Sequence, residues 1–221
     1  MNVYAVIGIV GIISGLICAL ADVPLVKPGK AEKAGVLADE LPAWWAKVSE
    51  SRFTLSFWLS FLGQPGTYLT MWMLAELITV NSPALGMALK INTFVGAYTG
   101  LLCHVVFCQK PMLYQRLHGK LGIEDAENAL KSIDKTTMVP MVLGFLSFYL
   151  GTTIMVSVAI LTGALNVPKL FILLNPIVST IMLMVLKKCG VKIIGPLGVG
   201  FSMFAIVLLV AGRYRKERIK I

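Results

Sequence analysis

INTFVGAYTGLLCHVVFCQK, residues 91–110, is apolar except at every fourth position, where Asn92, Gly96, Gly100, His104 and Cys108 are small or polar. On a helix of 3.6 residues per turn, four-residue spacing drifts by about 40° per step, so these side chains form a slowly winding seam. Small residues at that spacing let a second backbone approach closely, which is how helices associate in lipid, where burying apolar surface against a neighbour gains little. The seam therefore faces protein. His104 is an ionisable group at membrane depth, and Asn92 a buried amide on the same face, which makes both candidates for function.

Composition sets the class. Hydrophobic residues are 57% of the 221 residues and charged residues 14%, with a mean hydropathy of +0.82. A soluble domain averages roughly 45–50% and 25%. Windows of about 20 apolar residues are long enough to cross a 30 Å hydrocarbon core. Six are present, at about 3–23, 53–77, 83–108, 138–163, 169–186 and 192–212. The expected architecture is an all-α, polytopic six-helix transmembrane bundle forming a single domain over 1–221. The first window has no basic n-region, so it reads as a retained helix and not as a cleaved signal peptide.

The net charge of +9 does not indicate nucleic acid, because the basic residues collect in loops. With the N-terminus outside, Lys27, Lys30, Lys33, Lys47, Arg52, Lys110, Arg116, Lys120, Lys131, Lys135, Lys187, Lys188 and Lys192 lie in the cytoplasm, and only Lys90 and Lys169 occupy the opposite loops. The positive-inside rule favours that orientation. The tail from Arg213 to Lys220 dissents, unless the last two windows form a re-entrant hairpin at KKCGVK, residues 187–192. Following directly on a membrane window, that tail suits anionic lipid headgroups better than DNA.

Other stripes repeat the theme. The first window carries Gly8, Gly11, Gly15 and Cys18 and ends at Asp22, stopped by Pro24; the second carries Ser56, Ser60, Gly63, Thr67 and Thr70. Gly144, Ser147 and Gly151 mark the fourth window, and Gly195, Gly198, Ser202 and Ala205 the sixth. Asp22 has two readings: an interfacial carboxylate near Lys27, or a bundle residue that meets His104 at the same membrane level. A carboxylate bound to an imidazole would set up a proton relay or acid–base chemistry.

Two proline sites interrupt the apolar runs. GQPG at 63–66 removes a backbone hydrogen bond and loosens the second helix, predicting a kink or break with Gln64 beside it. Asn175-Pro176 does the same in the fifth window. Aligning Pro176 with Pro65 also pairs Asn175 with Gln64, as an inverted-repeat transporter would. Disrupted backbone at membrane depth is tolerated where it lines a cavity. The expected ligand site is therefore Gln64, Pro65, Asn92, His104 and Asn175, with Asp22 and His104 the candidates for any catalysis.

The loops add amphipathic segments. Pro42 to Glu50, with Trp44 and Trp45, is expected along the membrane surface. Residues 109–135 contain Ile123, Ala126, Ala129, Leu130 and Ile133 at helical spacing, predicting a short amphipathic helix in the second cytoplasmic segment, beside a solvated His118. No CxxC, P-loop, dinucleotide-binding or GxSxG motif occurs, and two histidines are few for a metal site. No metal and no cofactor is expected.

ADVPL at 21–25, the Trp-containing loop leading to SRF, LSFLGQPG at 59–66 and GAYTGLLCHVVF at 96–107 together resemble an uncharacterised family of small multi-pass prokaryotic membrane proteins carrying a domain of unknown function. The resemblance covers the first half of the chain. It implies a six-helix bundle in a prokaryotic plasma membrane and directs attention to Asp22, Arg52 and His104, but implies no activity. Three functional readings follow: binding or translocation of a small apolar or lipid-like molecule, an intramembrane lipid- or isoprenoid-modifying enzyme using His104 and Asp22, or a structural subunit. Membrane lipids are the expected surroundings. A homodimer built on the small-residue seams would enclose a transport pathway.

Overall fold

The computed structural model describes residues 2–25, 44–189 and 195–218. The expectations placed on Lys27, Lys30, Lys33, Pro42, Lys192 and Lys220 lie outside these described residues. The chain is all helical: α1 (Val3–Ala21), α2 (Ser51–Thr79), α3 (Pro83–Leu121), α4 (Ile123–Leu161), α5 (Pro176–Lys188) and α6 (Pro196–Arg218). Short 3-10 turns at Val23–Leu25 and Lys169–Leu173 follow α1 and precede α5. Local chemistry sets these limits. Asn2 Oδ1 accepts from Tyr4 N at 3.2 Å and so caps α1, while Pro83 and Pro176 occupy first-turn positions, where the missing N–H costs nothing. Gly122, at φ 91°, makes the turn between α3 and α4, and Gly163, at φ 76°, follows α4.

Four rods, containing Val3–Leu25, Pro83–Leu121, Ile123–Leu161 and Leu197–Tyr214, are long and apolar enough to cross a membrane. The chain is thus a helical membrane protein. At 39 residues each, α3 and α4 are about 58 Å long, well beyond a hydrocarbon core. The predicted amphipathic helix is not a separate element. It forms the first turns of α4, continuous with the apolar stretch that follows.

Two expected spans differ. Helix α2, with 29 residues, is too polar to pass as a simple lipid-facing span: one side packs against α1, α3 and α6, while Leu55, Trp58, Phe61, Leu62, Leu69 and Trp72 are exposed on the other. Ser56, Ser60, Thr67 and Thr70 are each no more than 3% exposed, and Gly63 is buried beside them. The fifth crossing is made in two pieces. Asn81 donates to the Ala164 carbonyl at 3.0 Å near the Asn2 end of the bundle, and the chain then passes through the 3-10 turn to Pro176, packed on Gly200 about one turn into α6. The 13 residues of α5 cover only about 20 Å, from there toward the Asp22 end.

Helix α6 then returns antiparallel to α1 along its whole length. Gly195 N donates to Ala19 O at 2.8 Å at one end, and Asn2 Nδ2 donates to Gly212 O at 3.1 Å at the other. The last two windows are therefore no re-entrant hairpin, and the start of the basic tail lies at the same end as residue 2.

The glycine stripes hold these contacts. A Cβ on Gly198 would sit 2.3 Å from both Ala19 N and Gly15 O, one on Gly15 would meet Ser202, and one on Gly8 would meet Leu209. Gly63 and Gly66 of the GQPG motif admit Ser14 and Cys18 of α1 in the same way. The motif is thus a packing device, and α2 runs through Pro65 without a break, correcting the expected interruption. Pro65 inside a helix and Pro176 at the start of one are unlike sites, so their alignment as paired breaks fails. These stripes are used in contacts between helices of the same chain.

Packed side chains fill the two ends. Met71, Leu74, Phe204, Leu208 and Val156 form the core of the Asn2 half. At the Asp22 end Trp45, Phe53, Tyr114, Ala126 and Leu130 form a second cluster. Trp45 is only 4% exposed, its ring 6.1 Å from that of Tyr114, so it does not lie along a membrane surface as expected. His118, expected in solvent, is half-buried with its ring 5.4 Å from Tyr114. Gln115 clamps this cap by donating to the carbonyls of Trp45 and Val48, and the buried Lys110 pairs with Asp134 at 2.5 Å.

Substitution at the closest helix contact tests this packing. Gly198→Ala forces backbone apart and is expected to lower stability by about 1–3 kcal/mol. Gly119→Ala, in α3 with nothing within 4 Å, should gain about 0.5–1 kcal/mol by helix propensity. Equilibrium unfolding in mixed micelles reads both, and equal effects would contradict the packing.

A candidate binding cavity

Between the two packed clusters lies a cavity of about 190 Å³. Its wall comes from α1 (Cys18, Asp22), α2 (Ser60, Gln64, Thr67, Tyr68), α3 (Gly96 to Phe107), α4 (Gly144 to Tyr149) and α6 (Leu197 to Phe201). Its existence follows from the α3 seam. Asn92 and Gly96 face α4, where Ser147 Oγ donates to Asn92 Oδ1 at 2.6 Å and Phe148 packs directly on Gly96. Gly100, His104 and Cys108 face α2, through Tyr68 and Ser56. The seam thus changes partner between Gly96 and Gly100, and the space opens where it crosses.

One end of the cavity is aromatic. Residues Ser147–Gly151 of α4 form a π-helical turn, an irregularity frequent at functional sites. Within it, Phe148 stacks on Phe201 with centroids 4.7 Å apart and meets Tyr68 edge-on at 5.5 Å. These three rings close the cavity toward the core of the Asn2 half.

The other end is polar. Ser56 Oγ donates to the Ala21 carbonyl at 2.7 Å and lies 3.1 Å from His104 Nε2, which is also 3.2 Å from the Ser56 carbonyl. A carbonyl only accepts, so His104 Nε2 carries the hydrogen and the neutral ring keeps its lone pair on Nδ1. Asp22 stands at this same level, one residue beyond Ala21. Its carboxylate makes no hydrogen bond or ion pair with any described residue, and none joins it to His104. The expected Asp22–His104 hydrogen bond is therefore absent, because Ser56 occupies the imidazole.

Between the ends, α2 presents a chain of bonds at four-residue spacing: Tyr68 Oη donates to Gln64 Oε1 at 3.1 Å, and Gln64 Nε2 donates to Ser60 Oγ at 2.6 Å. The structure brings Gln64, His104 and Asp22 together around one space. Pro65 is exposed on α2 and does not line it. Asn92 lies beyond Phe148, with its Nδ2 buried and unpartnered. Asn175 is a cap: its Oδ1 accepts from Ile177 N and Val178 N, and its Nδ2 donates to Ile172 O. Sequence reasoning missed Ser56 as the partner of His104, although the α2 stripe contained it. It also missed Phe148 and Phe201, which nothing distinguishes from other aromatics in an apolar chain. Among the described residues no group of three or more His, Cys, Asp or Glu side chains could hold a metal ion.

The chain belongs to a family of unknown function, DUF6796, whose model matches residues 1–214. That agrees with the resemblance carried by ADVPL and GAYTGLLCHVVF and extends it over almost the whole chain. No curated protein and no solved structure matches it.

The tautomer of His104 is directly measurable, since the chain has only two histidines. Nitrogen-15 spectra of labelled protein should show a protonated Nε2 and an unprotonated Nδ1 for neutral His104; the reverse assignment would contradict the Ser56 contacts. Ser56→Ala, which strips the buried Ala21 carbonyl and the Cys108 thiol of a partner, should cost about 1–3 kcal/mol in the same unfolding assay.

Proposed function

We propose that this family member binds a small, largely apolar molecule in the cavity between Asp22 and Phe148, as a membrane binding or translocation protein. The observation that carries the reading is the cavity itself. Small residues on the facing helices leave about 190 Å³ open, and the Asp22 carboxylate, the His104 ring and the Gln64 amide converge on that one space. Its wall is mostly apolar, with a few convergent polar groups, the usual make-up of a small-molecule site. An engineered apolar cavity of about 150 Å³ accommodates benzene, which sets the scale of the occupant near one ring or a short hydrocarbon chain.

Orientation follows from charge. Lys47, Arg52, Lys110, Arg116, Lys120 and Lys131 belong to the Asp22 end, so the positive-inside rule places that end in the cytoplasm, in a plasma membrane, with the N-terminus outside. The cavity then reaches toward the cytoplasmic side, while Phe148, Phe201 and Tyr68 block the outer side. Translocation would require those rings to part, and the π turn that carries Phe148 is the element to do it. A purely structural subunit would have no use for the open space. An enzyme would need the Asp22–His104 pair that Ser56 replaces.

Native mass spectrometry of protein released from lipid nanodiscs tests the reading, with toluene as probe. Wild-type protein is expected to retain one toluene and Gly100→Leu, whose Cβ would stand 2.5 Å from the Tyr68 hydroxyl and so pushes that flexible side chain and its own into the cavity, to retain none while remaining folded. Equal retention by the two proteins would overturn the cavity as a binding site.

A further inference from the structure

The polar end of the cavity is one-sided in its hydrogen bonding. Of the wall hydroxyls, Tyr68 gives its hydrogen to Gln64, Thr67 to the Gln64 carbonyl at 2.7 Å, Thr99 to the Val95 carbonyl at 2.8 Å, and Tyr149 to Pro176 O and Thr180. Ser56 gives its own to Ala21. Ser60 and Gln64 keep one hydrogen each, a turn or more up α2. Around Asp22, the wall groups without a hydrogen bond to a described residue are the Asp22 carboxylate, His104 Nδ1, with Nε2 committed to Ser56, and the Cys18 thiol, a weak donor one turn away.

Asp22 and His104 are both partly buried, and a carboxylate in such a setting holds an ammonium by charge-assisted hydrogen bonds. The described cations lie elsewhere. Lys90 pairs with Glu76, Lys110 with Asp134 and Arg116 with Glu50, while Arg52 donates to the Pro24 carbonyl and sits over the Trp44 ring. Close by, Phe107 adds the face of an aromatic ring to the same end of the cavity, and such a face attracts a cation. Along α3 the wall runs from Gly96 to Phe107, about 16 Å of helix, with the three stacked aromatics at the far end.

We infer that the ligand of this cavity is a small amphipathic amine. Its ammonium sits between the Asp22 carboxylate and His104 Nδ1, and its apolar body, one ring or a short chain, reaches toward Tyr68, Phe148 and Phe201. This inference rests on the binding function proposed above and adds the chemistry of the head group. An ammonium supplies what this end lacks: several donors, no acceptor and a positive charge. A carboxylate ligand would face two acceptors and is excluded. A hydrocarbon would leave both unpaired, and an alcohol has a single hydrogen to share between them.

The test compares benzylamine, benzyl alcohol, toluene and benzoate as ligands of the full chain in lipid nanodiscs, with Gly100→Leu subtracting what dissolves in lipid. The expected result for wild type is benzylamine about tenfold tighter than benzyl alcohol or toluene, and no benzoate binding. Asp22→Asn, nearly the same shape, should bring benzylamine down to the affinity of benzyl alcohol, with helical content and size-exclusion elution equal to wild type showing that the variant is folded; an undiminished preference for the amine would overturn the ammonium site. If wild type binds toluene and benzyl alcohol as tightly as the amine, the ammonium site is wrong and the apolar cavity stands. If none of the probes binds beyond the Gly100→Leu background, the binding function fails and the amine inference with it.

Discussion

Helix α2 cannot turn its polar side to lipid. Ser56, Ser60, Gln64, Thr67 and Thr70 fall on its buried side, and in a hydrocarbon core each would cost free energy unless bonded and enclosed. Enclosure in turn demands that other helices come close, and in lipid that closeness comes from packing of small residues, without a hydrophobic drive. Gly11 and Gly15 on α1, Gly63 and Gly66 on α2, and Gly198 on α6 provide it, at separations that a single methyl group would violate. The order of the bundle, with α2 at its centre and α1 and α6 wrapped against it, follows from that one requirement.

The cavity is a by-product of the same geometry. On the Asn2 side of the bundle, large apolar side chains such as Met71, Leu74 and Phe204 fill the space between α2, α4 and α6. On the Asp22 side the facing residues are small: Gly96, Thr99 and Gly100 on α3, Ser60 on α2, Gly144 on α4 and Gly198 on α6. The π turn in α4 advances Phe148 onto Gly96 and so divides the filled half from the open one. Below it, Trp45 and Tyr114 cap the bundle, held by Gln115 and the Lys110–Asp134 pair. The residues lining the cavity thus stand on helices fixed at both ends, while the ring closing its Asn2 side stands on the least regular turn.

Much of this was legible in the sequence, because four-residue spacing is a property of the helix itself. The seams of α1, α3, α4 and α6 all face protein, and Gln64, His104 and Asp22 do share one space. What failed were inferences from single residues to backbone shape. Pro65 leaves α2 unbroken because the chain around it is held by α1, whereas Asn175-Pro176 does interrupt the fifth crossing because Asn175 caps the helix that starts there. Which group His104 would meet could not be read either. Asp22 and Ser56 both lie within reach of that level, and only packing decides between them. The aromatic closure by Phe148 and Phe201 depends on a π turn for which the sequence carries no signal.

The most direct test of a ligand-binding cavity in this bundle is the anomalous scattering of 4-bromobenzylamine in crystals of the protein grown from a lipid mesophase. The account predicts a single bromine peak inside the bundle, against Phe148, Phe201 and Tyr68, with the amine directed to Asp22 and His104. Bromine peaks confined to the lipid-facing surface, with Asp22 and Phe148 closed against one another, would contradict it.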